Sequence, residues 1–132
     1  MTDPHPNATI ARKALEAYLR GDLEELLAAF HDDIVWHAPG TNRFSGKFEG
    51  KPAVVDRLSR MIREEIRSSF DIHDVVANDD HVVALVRVRI ENREGQRYDA
   101  PQVQVMHVRD GLIAEYWAMN QDQPVEDLLL GE

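Results

Sequence analysis

The stretch IVWHAPG, residues 34–40, holds a histidine between an aromatic side chain and a Pro-Gly turn, directly after Asp32 and Asp33. Histidine changes charge near neutral pH, so His37 is a candidate acid or base. Asp32 and Asp33 resemble paired catalytic carboxylates, but adjacent side chains on a turn point apart. We expect this pair to cap a helix-to-strand junction, and the role of His37 depends on the elements around it.

Composition excludes several kinds of chemistry. The chain has no cysteine, which rules out disulfides, zinc ribbons and thiol catalysis. None of its six histidines stands in an HxxxH pair or a tight cluster with carboxylates, so we expect no metal and no cofactor. The 24 acidic side chains outnumber the 15 basic ones and give a formal net charge of -9. Such a charge repels phosphate backbones and anionic membranes, and we expect neither nucleic acid nor membrane as a partner.

Length and composition predict one globular domain. The 132 residues contain 43% apolar and 30% charged side chains and no low-complexity tract. We expect residues 1–132 to form a single domain with an ordered core over about residues 8–128. The N-terminal sequence MTDPHPNATI has no basic segment followed by an apolar one, and no apolar run approaches the roughly 18 residues of a membrane-spanning helix. These features predict a cytoplasmic protein.

Three helices are predicted in the first half of the chain. Apolar residues recur at helical spacing up to Gly21, which ends the first helix. Asp22 and Glu25 stand three residues apart, a capping-box-like start for a second helix that ends near His31. A third helix is predicted over about residues 52–67, with apolar side chains on one face and charged ones on the other. One side of this helix must therefore face a core.

The second half is rich in β-forming residues. Residues 34–37 form a short first strand closed by the Pro-Gly turn, before the loop TNRFSGKFEG. Four longer β-rich runs follow, FDIHDVVA, HVVALVRVRI, RYDAPQVQVMHV and LIAEYWAM. Asp110 and Gly111 form a hairpin turn between the last two runs, because glycine accepts the positive φ that the turn requires. Helices followed by a mostly antiparallel sheet predict the α+β class, with helices on one face of the sheet.

Several strings, in their order along the chain, resemble the SnoaL-like proteins of the nuclear transport factor 2-like superfamily over roughly residues 8–128. The matching strings are GDLEELLAAFHDDIVWHAPG, FSGKFEGKPAVVDRL, HVVALVRVRI and APQVQVMHVRDGLIAEYW. The resemblance implies a cone-shaped, curved antiparallel sheet wrapped around three N-terminal helices, a cystatin-like half-barrel. It also implies a deep pocket for a small hydrophobic ligand and a homodimer formed through the outer sheet face. The superfamily includes ketosteroid isomerases, polyketide cyclases and limonene epoxide hydrolases, so the fold alone does not choose a reaction.

Carried over without gaps, the catalytic positions of the ketosteroid isomerases lack the groups that their reaction needs. The position of the carboxylate base is Ala38, and the position of the oxyanion-hole tyrosine is Ala14. The position of the protonated-aspartate donor is Gln104, which can still donate one hydrogen bond. The resemblance therefore implies a donor in the pocket without the base that enolisation requires.

The other enzymes of the superfamily give a similar result. The acid that cyclases and epoxide hydrolases use on the last strand falls on Ala118, and the hydrolase arginine and second aspartate fall on Leu85 and Arg87. The chain therefore runs a different chemistry, with an acid such as Asp122 moved a turn along, or none. A register error of one residue would bring His37 to the position of the isomerase base. The catalytic candidates are therefore His37, Gln104 and Asp122.

The same register predicts which side chains line the pocket, since alternate residues of a strand share a face. The expected lining residues are Trp36, Ala38, Leu85, Arg87, Gln102, Gln104, Met106, Tyr116, Ala118 and Asn120. An apolar cavity with a few polar groups is typical of small-molecule sites. An inward Arg87 would need a carboxylate or an anionic ligand, and the alternative is a salt bridge at the rim with Glu91 or Asp99.

The opposite face of the strand HVVALVRVRI carries a continuous apolar stripe. Its residues are Val82, Ala84, Val86, Val88 and Ile90, joined by parity to Val103, Val105 and Trp117. A solvated sheet does not need such a stripe. We expect it to be covered by a second copy of the chain, or alternatively by the chain's own tail.

Three hypotheses about function follow. The first is a SnoaL-like enzyme of isomerase, cyclase or hydrolase type that acts by acid/base chemistry on a hydrophobic polycyclic or oxygenated substrate. The second is a non-catalytic protein that binds a small ligand, which the alanines at the carried-over catalytic positions favour. The third is a dimerisation module without a small ligand.

Overall fold

The computed structural model describes residues 3–132, which contain four helices and one six-stranded sheet. The helices are α1 (Pro6–Arg20), α2 (Leu23–Ala28), α3 (Lys51–Arg63) and α4 (Gln123–Leu130). The strands are β1 (Phe30–Ala38), β2 (Gly46–Glu49), β3 (Arg67–Ala77), β4 (His81–Glu91), β5 (Arg97–Arg109) and β6 (Leu112–Asn120). They form one curved sheet in the order β2-β1-β6-β5-β4-β3, antiparallel except for the parallel pair β1 and β6. The predicted α+β fold is confirmed.

Local capping chemistry sets the boundaries of the first two helices. α1 begins at Pro6, whose ring presets a helical φ, and its last residue is followed by Gly21 with a left-handed φ of 74°. The Asp22 side chain accepts a hydrogen bond from the backbone N–H of Glu25, as the capping-box pattern predicts. None of the helices described within residues 3–132 is long and apolar enough to cross a membrane.

Four elements differ from the sequence prediction. β1 begins at Phe30, within the predicted second helix, because its pairing with β6 starts with Phe30 opposite Ile113. β2 lies in the stretch predicted as a loop and pairs antiparallel with β1. α3 ends at Arg63, shortly before Glu65, whose positive φ of 60° is incompatible with a continuing helix. α4 was not predicted, and it forms part of the candidate site.

Buried and exposed residues alternate along β4 as predicted, but the face that points inward is the one predicted to point outward. The stripe predicted for dimerisation is buried, with Val82 0% and Val86 4% exposed. Leu85 is 38% exposed, and Arg87 is exposed beside it. The helices of the same chain cover the stripe, since α1 packs against β3 and β4. The predictions that Leu85 and Arg87 enter the pocket and that the β4 stripe contacts a second copy are therefore wrong. Val103, Val105 and Trp117, which were assigned to the same face as that stripe, lie on the opposite one.

The sheet consequently has an inner face toward the helices and an outer face without covering elements among the described residues. The inner face carries the core, which includes Ile34, Val82, Met106 and Ile113. The outer face carries Leu85, Val103, Val105, Trp117 and Met119 at its centre. The predicted hairpin between β5 and β6 is present, with positive φ at both Asp110 and Gly111.

Candidate functional site

A cavity of about 90 Å³ lies between the inner sheet face and the helices. Most of its wall is apolar and includes Leu15, Leu26, Phe70, Val88, Met106 and Ile113. The polar side chains in the wall are Tyr18, Arg57, Ser68, Gln102, Gln104, Tyr116 and Glu126. An apolar wall with a few convergent polar groups is the usual arrangement of a small-molecule site.

Trp36 and Tyr116 stack in the cavity wall. Their ring centroids lie 3.9 Å apart with an interplanar angle of 24°. They meet because the parallel pairing of β1 and β6 puts Trp36 opposite Tyr116. Burial raises the pKa of the Tyr116 hydroxyl far above its usual range, so the phenol stays neutral. Gln102, Gln104, Met106 and Ala118 also line this cavity.

Glu126 on α4 is the carboxyl group of the cavity and is only 5% exposed. Its Oε2 accepts a hydrogen bond from Asn120 Nδ2 at 2.7 Å, and its Oε1 accepts one from Gln123 Nε2 at 3.0 Å. Burial raises the pKa of Glu126, and the two hydrogen bonds offset only part of that rise. A buried carboxyl group with a raised pKa has the properties of an acid or base for proton transfer.

A chain of side-chain amides connects Glu126 to the middle of the sheet. Gln104 Nε2 donates to Gln102 Oε1 at 2.8 Å, and Gln102 Nε2 donates to Asn120 Oδ1 at 2.8 Å. Asn120 then donates to the Glu126 carboxyl group. At the other end of the chain, the Gln104 Oε1 atom is buried and has no hydrogen-bond partner among residues 3–132. The chain thus ends in a buried, unpaired acceptor on a residue of the cavity wall.

Arg57 adds a positive charge to the same wall. Its Nε donates to the backbone carbonyl of Phe44 at 2.9 Å, and its Cζ lies 5.7 Å from the centroid of the Phe48 ring. Burial lowers the pKa of Arg57, while the nearby phenols and the Glu126 carboxyl group act in the opposite direction. The guanidinium remains charged, because an arginine pKa starts far above neutral pH.

α4 is held by its N-terminal cap and by the loop that follows β1. The exposed Asp122 side chain caps the helix by accepting from the backbone N–H of Val125. Asp127 accepts from the Thr41 N–H and from Asn42 Nδ2 at 2.8 Å. Desolvation alone would raise the pKa of Asp127, but its hydrogen bonds together lower that pKa below the usual value. Asp122 therefore positions α4 and does not line the cavity, which corrects its predicted catalytic role.

His37 lies on the outer face, because it follows the inward-pointing Trp36 on β1. His37 Nε2 is 2.7 Å from Glu115 Oε2, and its ring stacks on Trp117 with centroids 4.9 Å apart. His107 approaches the other Glu115 oxygen at 3.5 Å. His37 therefore does not reach a ligand in the cavity, which corrects its predicted role there. No group of three or more His, Asp or Glu side chains described within residues 3–132 is arranged to hold a metal ion.

The remaining predicted lining residues lie outside the cavity wall. Arg87 Nε donates to Asp99 Oδ1 at 2.6 Å on the outer face, which is the salt bridge that the sequence offered as the alternative. Leu85 shares that face. Ala38 is buried beside Pro39, the residue of this turn that lines the cavity. Asn120 connects Gln102 to the carboxyl group on α4 without lining the cavity itself.

Sequence reasoning missed Glu126 and Arg57. The signal for Arg57 is its spacing on α3, since it stands three residues after Val54 and four before Met61, both buried. The signal for Glu126 is weaker, because one acid in the short segment QPVEDLLL is equally compatible with an exposed tail. Only the packing of α4 onto the sheet makes it a site residue.

Residues 11–116 match the family model for the SnoaL-like domain, and the chain belongs to this family. An uncharacterised protein of Mycobacterium tuberculosis is 30% identical over 123 residues, which cover 89% of this chain and 92% of that protein. A Xanthomonas campestris protein of unknown function with a cystatin-like fold superposes with a TM-score of 0.87 at 26% identity, covering 96% of this chain and 98% of that one. An LEH-like epoxide hydrolase of M. tuberculosis superposes with a TM-score of 0.73 at 20% identity, covering 93% and 90% of the two chains. These similarities confirm the resemblance to SnoaL-like proteins and the cystatin-like architecture.

Proposed function

We propose that this protein binds a small hydrophobic, oxygenated molecule in the cavity and transfers a proton to or from it through Glu126. The observation that supports this most directly is a buried carboxyl group with a raised pKa in a mostly apolar cavity. The raised pKa of such a group lies nearer to neutral pH than that of an exposed carboxyl group. It can therefore take up and return a proton within one reaction.

The groups around Glu126 have separate roles in this proposal. The amides of Asn120 and Gln123 hold the carboxyl group in one orientation. The Arg57 cation stabilises an oxyanion that develops on the substrate, and Gln104 contacts a polar substituent. The epoxide hydrolase neighbour carries out chemistry on the same fold, which supports a reaction of isomerase, cyclase or hydrolase type on a polycyclic or oxygenated substrate.

The experiment is a thermal-shift screen with steroids, polyketides and terpenes, followed by product analysis for every compound that raises the melting temperature. With a substrate found, Glu126→Gln should lower kcat by a factor of about 100 or more and leave binding within about threefold. Glu115→Gln on the outer face is the matched control and should keep full turnover. Wild-type turnover in the Glu126→Gln variant would end the assignment of Glu126 as the acid/base group.

A non-catalytic ligand-binding protein is the second candidate. It is favoured by Ala14, Ala38 and Ala118, which occupy the positions that carry catalytic groups in related enzymes. In that case the compounds found in the screen would be recovered unchanged after long incubation with the pure protein. Product formed in proportion to enzyme concentration would exclude this candidate.

We also propose that the outer face pairs with a second copy of the chain. An apolar patch there consists of Leu85, Val103, Val105, Trp117 and Met119, of which Leu85 is 38% and Met119 49% exposed. A two-fold axis would bring this patch against itself, with charged pairs such as Arg87 and Asp99 at its border. The cytoplasmic location expected from the sequence stays a prediction.

Sedimentation velocity tests the dimer. The double variant Leu85→Asp, Met119→Asp should sediment as a monomer where the wild type is a dimer, because charges would be buried unpaired in the interface. Leu128→Asp is the matched control, since Leu128 is 83% exposed on α4 and lies outside the patch. A wild type that stays monomeric at all concentrations would contradict the proposal.

A further inference from the structure

Arg57 is an arginine of the cavity wall that has no carboxylate partner in the described part of the chain, unlike several arginines at the surface. Arg43 pairs with Glu64, and Arg87 pairs with Asp99. Arg57 forms no salt bridge with any residue in the described range 3–132, although its guanidinium lies in the cavity wall. Its Nε donates one of the five N–H groups to a backbone carbonyl, and the other four form no hydrogen bond with a residue in that range. A desolvated cation with free donors is an anion-binding group.

Gln104 supplies an unpaired hydrogen-bond acceptor at the cavity whose wall also holds the Arg57 donors. It is 2% exposed, its Nε2 is used by Gln102, and its Oε1 has no donor within residues 3–132. A buried amide oxygen without a donor is costly, and a hydroxyl group of a ligand would satisfy it. The cavity therefore offers one site for an oxyanion and one for a hydroxyl donor.

The size of the cavity limits what these two groups can hold. A volume of about 90 Å³ is smaller than the roughly 150 Å³ of an apolar cavity that holds benzene, so this cavity alone holds only the polar end of a ligand. A second cavity of about 250 Å³ shares the wall residues Tyr18, Leu26, Met61 and Ser68 with the first. Its outer wall is largely apolar and includes Leu23 and Ile62, which are 40% and 74% exposed. An apolar chain attached to the head group would extend through this second cavity toward solvent.

We propose that the ligand is a medium-chain hydroxy acid, with its carboxylate on Arg57, its hydroxyl group on Gln104 and its alkyl chain in the second cavity. This ligand class rests on the ligand-binding part of the proposed function, because both place the ligand beside Glu126. The ligand class is narrower than the proposed function, since a neutral terpene or steroid would fit the proposed function but not the hydroxy-acid class. The acidic surface of the protein does not oppose such binding strongly, because salt screens exposed charges at distances beyond about 10 Å.

Three probes with the same alkyl chain length separate the contributions of the carboxylate and the hydroxyl group to affinity. They are 3-hydroxyoctanoate, octanoate and 1-octanol, each titrated into the protein by calorimetry. We expect affinity to fall in that order. Octanoate should bind about tenfold or more tighter than octanol, and the hydroxyl group should add about fivefold. Equal affinity for octanoate and octanol would overturn the anion site, and so would a lack of binding by both acids.

Variants assign the preferences to residues. Arg57→Met should remove the preference for octanoate over octanol, and Arg57→Lys should keep part of it because the charge remains. Gln104→Leu should remove only the preference for the hydroxy acid. Arg63→Met, on the exposed side of the same helix, is the control and should behave as the wild type. An acid preference that survives in Arg57→Met would overturn the proposal.

The two proposals fail in different ways. If the acids do not bind but Glu126→Gln abolishes turnover of a neutral substrate from the screen, the ligand class is wrong and the proposed function stands. If the acids bind with the expected preferences but no compound is turned over, the ligand class stands and the protein is the non-catalytic candidate.

Discussion

Two glutamates on opposite faces of the same sheet show what burial does to a carboxyl group. Glu126 reaches the inner side and is held by the amides of Asn120 and Gln123. Glu115 lies on the outer face, where it contacts His37 and His107. Burial raises the pKa of Glu126 and leaves it facing an apolar cavity. The side chain of Glu115 is 29% exposed and is absent from the cavity wall.

The difference also lies in the partners of each carboxyl group. Amides do not titrate, so the two groups that hold Glu126 keep a single protonation state. Glu115 instead lies between two histidines, with His37 Nε2 at 2.7 Å and His107 Nδ1 at 3.5 Å from its oxygens. The inner carboxyl group is therefore held by neutral amides, whereas the outer one is held by histidines.

The largest expected effect comes from placing an aspartate on each face of β4 in turn and comparing the stability of the two variants. Val86→Asp places an unpaired carboxylate in the core and should lower the free energy of unfolding by about 4 kcal/mol or more. Leu85→Asp, one residue earlier on the exposed face, should change it by no more than about 0.5 kcal/mol. Urea denaturation measures both changes in unfolding free energy, at a protein concentration where the wild type and both variants are monomeric. Similar losses in the two variants would mean that the faces are not distinct.

The next largest effect on stability is expected from replacing Glu126 and Glu115 in turn by alanine. Glu126→Ala takes the acceptor from two half-buried amide donors and should cost about 2 kcal/mol. Glu115→Ala removes a partly exposed ion pair and should cost less than about 1 kcal/mol. The comparison uses urea denaturation at pH 7. A larger loss for Glu115→Ala would reverse the order of importance inferred for the two groups.

Replacing Asp127, the neighbour of Glu126, should have a smaller effect on the free energy of unfolding, and this effect should depend on pH in the acid range. Its hydrogen bonds lower its pKa from the usual 3.8, so the folded state favours the ionised form. This stabilisation is present above pH 3.8 and is lost as pH falls through the folded-state pKa. Asp127→Asn should cost about 1 kcal/mol at pH 7 and progressively less below pH 3.8. A cost that is independent of pH would show that the charge is not what holds the loop.

Glu126→Gln should show the opposite slope and the smallest effect. The folded-state pKa of Glu126 lies above the usual 4.5, so the folded state binds this proton more tightly than the unfolded chain does. The stabilisation is fully present below pH 4.5 and is lost as pH rises through the folded-state pKa. The unfolding free energy of the wild type minus that of Glu126→Gln should therefore fall as pH rises. A flat difference between pH 4 and pH 8 would contradict the raised pKa.

The elements of this fold were largely predictable from local signals. Gly21 and Asp22 act within a few residues of their own positions, and the Asp110-Gly111 turn depends only on backbone preference. The alternation along β4 was also readable, since it is a property of the strand itself. The order of these elements along the chain was enough to indicate the SnoaL-like family, because that order is itself a property of the sequence.

The site was predictable only in part, for reasons that are not local. A period of two shows that the faces of β4 differ, but only the packing of α1 decides which face is covered, and Leu85 and Arg87 were assigned to the wrong one. Glu126 becomes a cavity residue because α4 folds back onto the sheet, held by Asp122 and by contacts to a distant loop. The sequence by itself determined the elements and their order, whereas the tertiary structure decided which side chains share the cavity, because that choice depends on contacts between distant parts of the chain.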